Sequence, residues 1–155
     1  MMELTALLAH CLDKQRRSPC LFFVHEAMNQ LQRMAHQIAQ VVEQAPLDVG
    51  LLLSDALLTV PEQRRGNRVQ PVLIDALRMR QPGPILWTEI DLLFEPSLAQ
   101  DALLLLLFCS RQVPLIVLWP GSFHDNGLAY AKQGHAHYRT WPRPEVQAGC
   151  IQTIV

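Results

Sequence analysis

The chain has 155 residues, half of them hydrophobic and 17% charged, with a net charge of -1. That length suits one domain with a substantial core and is short for two, and so apolar a composition requires burial within the chain or beneath a partner. The charge excludes a protein that is basic throughout, as a general nucleic-acid or membrane-surface binder would be, but leaves room for a local basic patch.

Residues 1–17 read as an amphipathic helix. Leu4, Leu7, Leu8, Cys11 and Leu12 share one face, and Lys14, Arg16 and Arg17 crowd the C-terminal end, where cations suit the helix dipole. Ser18-Pro19 breaks it. Cys20–Val24 is wholly apolar, as a strand buried on both faces of a parallel sheet would be. A helix follows over about 26–44, with Leu31, Ala35, Ile38 and Val42 as its stripe. Val49–Leu53 reads as the next strand, which completes a βαβ unit.

Ser54-Asp55 is placed to cap a short helix through Val60. Pro61–Gln70 reads as a polar loop carrying Arg64, Arg65 and Arg68, and Pro71 as the opening of a second helix with Val72, Leu73, Ala76 and Leu77. Pro82-Gly83 is a turn and Pro84–Thr88 a third strand. Pro96-Ser97 opens a helix to about Arg111, and Pro114–Trp119 is a fourth strand ended by Pro120-Gly121. Gly127–Tyr130 and His135–Trp141 read as a hairpin about Lys132–Gly134, and 150–155 as a last strand.

The expectation is therefore one α/β domain over 1–155, a P-loop NTPase-like three-layer sandwich with a mainly parallel sheet and a C-terminal hairpin. Residues 1–17 supply the N-terminal helix, 20–121 the core and 127–155 the last strands. Ligands of such folds sit at the C-terminal ends of the strands.

The loop after the first strand is where phosphate chemistry belongs. In GxxxxGK[ST], glycines let backbone amides wrap the phosphates, the lysine neutralises them and the hydroxyl meets the magnesium. Set after Val24, that motif meets His25 and Gln30 in place of the glycines, Leu31 in place of the lysine and Gln32 in place of the hydroxyl residue. Leucine offers no charge, and a stretch without glycine bends poorly into an anion nest. The third strand, Ile85–Thr88, ends on Thr88 where a magnesium-holding Asp belongs. Glu89 follows in the position of a water-polarising Glu and is the one weak catalytic candidate. No bound cofactor is expected; ATP with magnesium is the alternative.

The stretches Val49–Leu58, Pro61–Arg65, Ile90–Pro96 and Trp119–Gly121, with Tyr130-Ala131, Gly134-His135 and Tyr138-Arg139, are similar to BrxF, a small P-loop-containing protein of some BREX bacteriophage-exclusion systems. The similarity runs from about Cys20 to Trp141. It implies the fold, a place in phage defence and other defence-system proteins as partners. It does not carry ATP binding to this chain, because the family's GxxxxGK[ST] and strand-ending Asp are absent here. The implied protein is a degenerate member that works by contacts with other proteins; an ATPase component or a DNA-binding accessory is the alternative.

Arg64, Arg65 and Arg68 form the most basic stretch and can meet DNA phosphates or an acidic partner. The helix before the fourth strand is apolar almost all round. Leu103, Leu104, Leu107 and Phe108 occupy its second side, so either the N-terminal helix or a partner subunit, a second copy included, must cover it. Burying four such side chains is worth roughly 6–12 kcal/mol gross. His135 and His137 share one face of a strand, a spacing that suits zinc, but no cysteine pair joins them and no metal is expected. Ser122, His124 and Asp125 crowd one loop too closely for a hydrolytic triad. The four cysteines form no CxxC and are expected as buried thiols in a reducing cytoplasm. No apolar run approaches the about 20 residues of a membrane helix, and 1–8 lacks the pattern of a signal peptide, so a cytoplasmic protein without membrane contact is expected.

Overall fold

The computed structural model of the chain describes residues 3–155; the first two residues of the helix expected over 1–17 lie outside them. Five strands form a parallel sheet in the order β2, β3, β4, β1, β7, where β1 is Cys20–His25, β2 Leu47–Asp48, β3 Ile85–Thr88, β4 Leu115–His124 and β7 Ile151–Thr153. Alternation of side chains along the strands splits the core into two layers. Phe22, Val24, Trp87, Val117 and Trp119 face one way and pack under α3 (Val49–Leu57), α4 (Glu62–Arg78) and α5 (Ala102–Ser110). Leu21, Phe23, Leu86, Ile116 and Leu118 face the other way, under α1 (Leu4–Cys11) and α2 (Met28–Val42). The chain is thus an open, mostly parallel α/β sheet with helices on both faces. No helix of the described residues is long and apolar enough to cross a membrane.

Several local expectations are corrected. Val49–Leu53 is helix, not strand. The strand before it is only Leu47–Asp48, and the Asp48 carboxylate accepts from the Leu51 N–H (2.9 Å), which turns the chain into α3 at once. Val49, Leu53 and Leu57 then form its buried stripe. The expected loop 61–70 belongs to α4, and Pro71 lies within that helix on its exposed face. The buried stripe Val69, Leu73, Leu77 outweighs the proline. Gly66 lets α4 cross closely: a Cβ there would stand 2.7 Å from the Leu98 carbonyl oxygen. The helix expected from Pro96 starts later. Single 3-10 turns occupy Ile90–Phe94 and Pro96–Leu98, Ala99 takes a left-handed conformation, and the Asp101 carboxylate caps α5 by accepting from the Leu104 N–H (3.1 Å).

β4 runs past Pro120-Gly121 to His124. Asp125 and Asn126 (φ 50 and 63) make a two-residue turn into β5 (Gly127–Tyr130), which pairs with β4 and with β6 (Arg139–Trp141). The expected hairpin about Lys132–Gly134 is therefore the second of two. An aromatic cluster joins it to the sheet: Phe94 stacks on Tyr130 (3.7 Å) and meets Trp119 edge-on (5.0 Å), and Trp141 closes on Trp119 (5.3 Å).

The cysteines divide. Cys11 and Cys150 are joined in a disulfide, Cα atoms 5.7 Å apart, because α1 and β7 bring the two ends of the chain to the same side of β1. Uniformly free thiols were the expectation; only Cys20 and Cys109 remain free, buried, and burial pushes both thiols up to about 12.

Candidate functional site

The carboxyl edge of the sheet is the place to look, since β1 sends its connection to one face and β3 to the other. Only Glu26 and Ala27 lie between β1 and α2. His25 fastens this link: its Nδ1 accepts from the Ala27 N–H (2.8 Å). The helix then starts at Met28 without a side-chain cap. Gln30, Leu31 and Gln32 consequently lie in the first turns of α2 and not in a loop. Gln30 is partly exposed and Gln32 exposed, while Leu31 is 4% exposed and packs in the core layer with Ala35, Ile38 and Leu118.

Beside Leu31 is a cavity of about 170 Å³, lined by Met28, Leu31, Ala35, Thr88, Glu89 and Leu118 among others. Ligand pockets commonly span about 300–1,000 Å³, so the space suits at most a small, largely apolar group.

Glu89 borders that cavity. It follows β3 in a left-handed backbone conformation (φ 55, ψ 50), a strained state for a residue with a Cβ. Its carboxyl is raised above the usual value, first by burial and then by the charges of Asp48 and Asp91. Those two neighbours are engaged in structure: Asp48 caps α3, and Asp91 accepts from the Tyr130 hydroxyl (2.8 Å). Burial first, and then the same contact, raises the Tyr130 phenol. Thr88 Oγ1 donates to the Leu47 carbonyl (3.4 Å). The edge thus presents three carboxylates and a buried leucine, an arrangement that repels a polyphosphate.

The remaining predicted residues separate. Arg64 and Arg68 are exposed one turn apart on α4, and Arg65 donates to the Val60 carbonyl (2.9 Å). On α5, Leu103 and Leu107 are buried, Phe108 is half-buried and Leu104 is 63% exposed. The second side of α5 is not met by α1, which lies on the opposite face of the sheet; Leu103, Leu104 and Leu107 share a groove with Trp141, Pro142 and Pro144 of the C-terminal segment. His135 and His137 lie in the turn before β6, where the His135 Nδ1 accepts from the His137 N–H (2.9 Å). Among the described residues, no three His, Cys, Asp or Glu side chains gather as a metal would need. Ser122 and His124 lie on β4 and Asp125 in its turn.

Sequence reasoning missed the Asp91–Tyr130 contact and the disulfide, both of which join residues far apart in the chain. In comparisons with known proteins, no family model, curated protein or solved structure matches the chain.

Proposed function

We propose that the chain is a non-catalytic subunit of P-loop-like fold in a BREX-type phage-exclusion system, acting by contact with other defence proteins. The observation that carries the non-catalytic half is Leu31: the side chain standing where a phosphate loop holds its lysine is core. The short His25–Ala27 link and the carboxylates of Asp48, Glu89 and Asp91 support the same reading, and the cation that reaches this link, Lys132, is paired with Glu26 (3.7 Å). The defence assignment rests on the resemblance to BrxF. The contact reading is supported by apolar side chains left in water, Leu104 on α5, Leu51 on α3 and Leu58 at its C-terminal cap.

Two measurements test it. Calorimetric titration with ATP and magnesium, and with ADP, is expected to give no binding heat at millimolar nucleotide; micromolar affinity overturns the proposal. Co-expressed with the other proteins of a BREX system from the same source, the chain is expected to co-purify in fixed ratio. Leu104→Glu or Leu58→Glu is expected to reduce that yield while leaving the fold unchanged.

A further inference from the structure

The amino edge of the sheet carries chemistry that the carboxyl edge lacks. The segments leading into β3, β4 and β1 lie side by side, because those strands are neighbours in that order, spaced by about 5 Å. Each segment brings cations. Residues 12–19 bring Lys14, Arg16 and Arg17, the end of α4 and the turn after it bring Arg78 and Arg80, and the turn after α5 brings Arg111. The carboxylates nearby are Asp13, which accepts from the Gln15 N–H within its own turn (2.9 Å), Asp75, exposed on α4 one turn before Arg78, and Glu43 at the end of α2.

Lys14, Arg16 and Arg111 line a single depression of about 380 Å³ together with Gln81, Ser110 and Gln112. The salt bridges among the described residues are Lys132–Glu26 and His137–Glu95, so these three cations have no acidic partner. The guanidiniums are steadied by neutral acceptors instead. Arg16 Nε donates to the His10 carbonyl (2.6 Å) and its Nη2 meets the His10 Nδ1 (3.1 Å), Arg80 Nη1 donates to the Ala45 carbonyl (2.6 Å) and Arg111 Nε to the Ser18 hydroxyl (3.5 Å). A fork held through one or two of its nitrogens keeps other N–H groups for an anion and gives up little freedom in taking it.

We propose that this amino edge binds the phosphodiester backbone of duplex DNA, with Lys14, Arg16 and Arg111 as its phosphate contacts. Cations set across adjacent segments, with amide and hydroxyl donors between them, suit a row of phosphates. The only apolar side chains lining the depression are prolines, so it lacks the aromatic or aliphatic anchor that the centre of a protein interface requires. It also lacks a ring on which unpaired bases would stack. Glu26, Asp48, Glu89 and Asp91 lie at the opposite edge, so the net charge of -1 conceals two edges of opposite sign and turns the amino edge toward a polyanion.

The test is fluorescence anisotropy of short labelled duplexes of unrelated sequence with the full chain, from low to physiological salt. Both duplexes are expected to bind alike, and log K against log salt to have a slope of about -2.7, the value for three phosphates. Lys14→Ala with Arg111→Ala is expected to bring the slope to about -0.9 and to weaken low-salt binding more than tenfold. Arg64→Ala with Arg68→Ala is expected to change neither, and thermal unfolding checks that each variant is folded. Absence of binding by the native chain at low salt overturns the proposal, as does loss of binding in the α4 variant alone. Salt-sensitive self-association that the Lys14/Arg111 variant abolishes, without DNA binding, overturns it too, and assigns the edge to the acidic edge of a second copy.

Discussion

A charge placed at Leu31 is the sharpest perturbation of the carboxyl edge. Leu31→Lys puts an ammonium where a phosphate loop would hold one. If Leu31 is core, the substitution removes a buried leucine, worth about 1.5–3 kcal/mol, and leaves a charge at the wall of a cavity of about 170 Å³. Glu89 across that cavity offsets part of the charge penalty, so the loss is about 2–4 kcal/mol. A domain of this size has only about 5–15 kcal/mol of stability. With an m-value of about 2 kcal/mol/M, the urea midpoint falls by about 1–2 M. Tryptophan fluorescence reads that midpoint, since Trp87 and Trp119 are fully buried. Leu31→Ala, which removes the same burial without adding charge, is expected to lose a similar amount. Neither variant is expected to bind ATP in calorimetry. A Leu31→Lys protein as stable as the parent, with micromolar ATP affinity, would refute the reasoning, because the start of α2 would then have to open into a loop.

Thiol titration in denaturant is expected to find two reactive groups before reduction and four after, matching the free pair Cys20 and Cys109 and a total of four cysteines; four before reduction would show that Cys11 and Cys150 are not joined. Glu89→Gln should raise the thermal midpoint at pH 7. Burial, then Asp48 and Asp91, favour the neutral carboxyl in the folded chain, so its ionisation above the usual value of 4.5 opposes folding. The gain should vanish in melts below that pH, and a gain that persists there has another cause. Trp119→Phe removes an indole N–H that donates to the Ala129 carbonyl (2.9 Å), whereas Trp87→Phe removes an N–H that has no partner. In urea unfolding the former should cost about 1–2 kcal/mol more, and equal costs would refute that assignment.

The central strands were legible in the sequence because each is a short apolar run between breakers, and β1, β3 and β4 lie where those runs do. What misled was the same signal out of context. Val49–Leu53 is as apolar as a strand, and periodicity alone cannot separate a short buried strand from a buried helix. The decisive residue was Asp48, whose carboxylate caps α3. Pro61 and Pro71 read as punctuation, yet one stands at the start of α4 and the other inside it, because tertiary burial of Val69, Leu73 and Leu77 decided the segment. At the carboxyl edge, the lack of a GxxxxGK[ST] pattern over His25–Gln32 could be read directly. The burial of Leu31 and the raised Glu89 could not, since both depend on which strands are neighbours.

Leu31 also explains where function has room to act. A leucine at the start of α2 extends the buried stripe of that helix to its first turn, with Ala35 and Ile38 beyond it. Leu31 fills that side of the carboxyl edge with dispersion contacts and leaves a cavity of about 170 Å³ bordered by Glu89 and Asp91. Such packing favours stability over ligand access. The surfaces proposed for contacts with other molecules are ones that the sheet does not require: the leucines at α3 and α5 that stay in water, and the cations of the amino edge. These lie on different parts of the molecule, so Leu104→Glu and Lys14→Ala with Arg111→Ala should act independently. Combined, their effects on partner retention and on DNA affinity should each match those of the single perturbation, as expected for sites without shared neighbours.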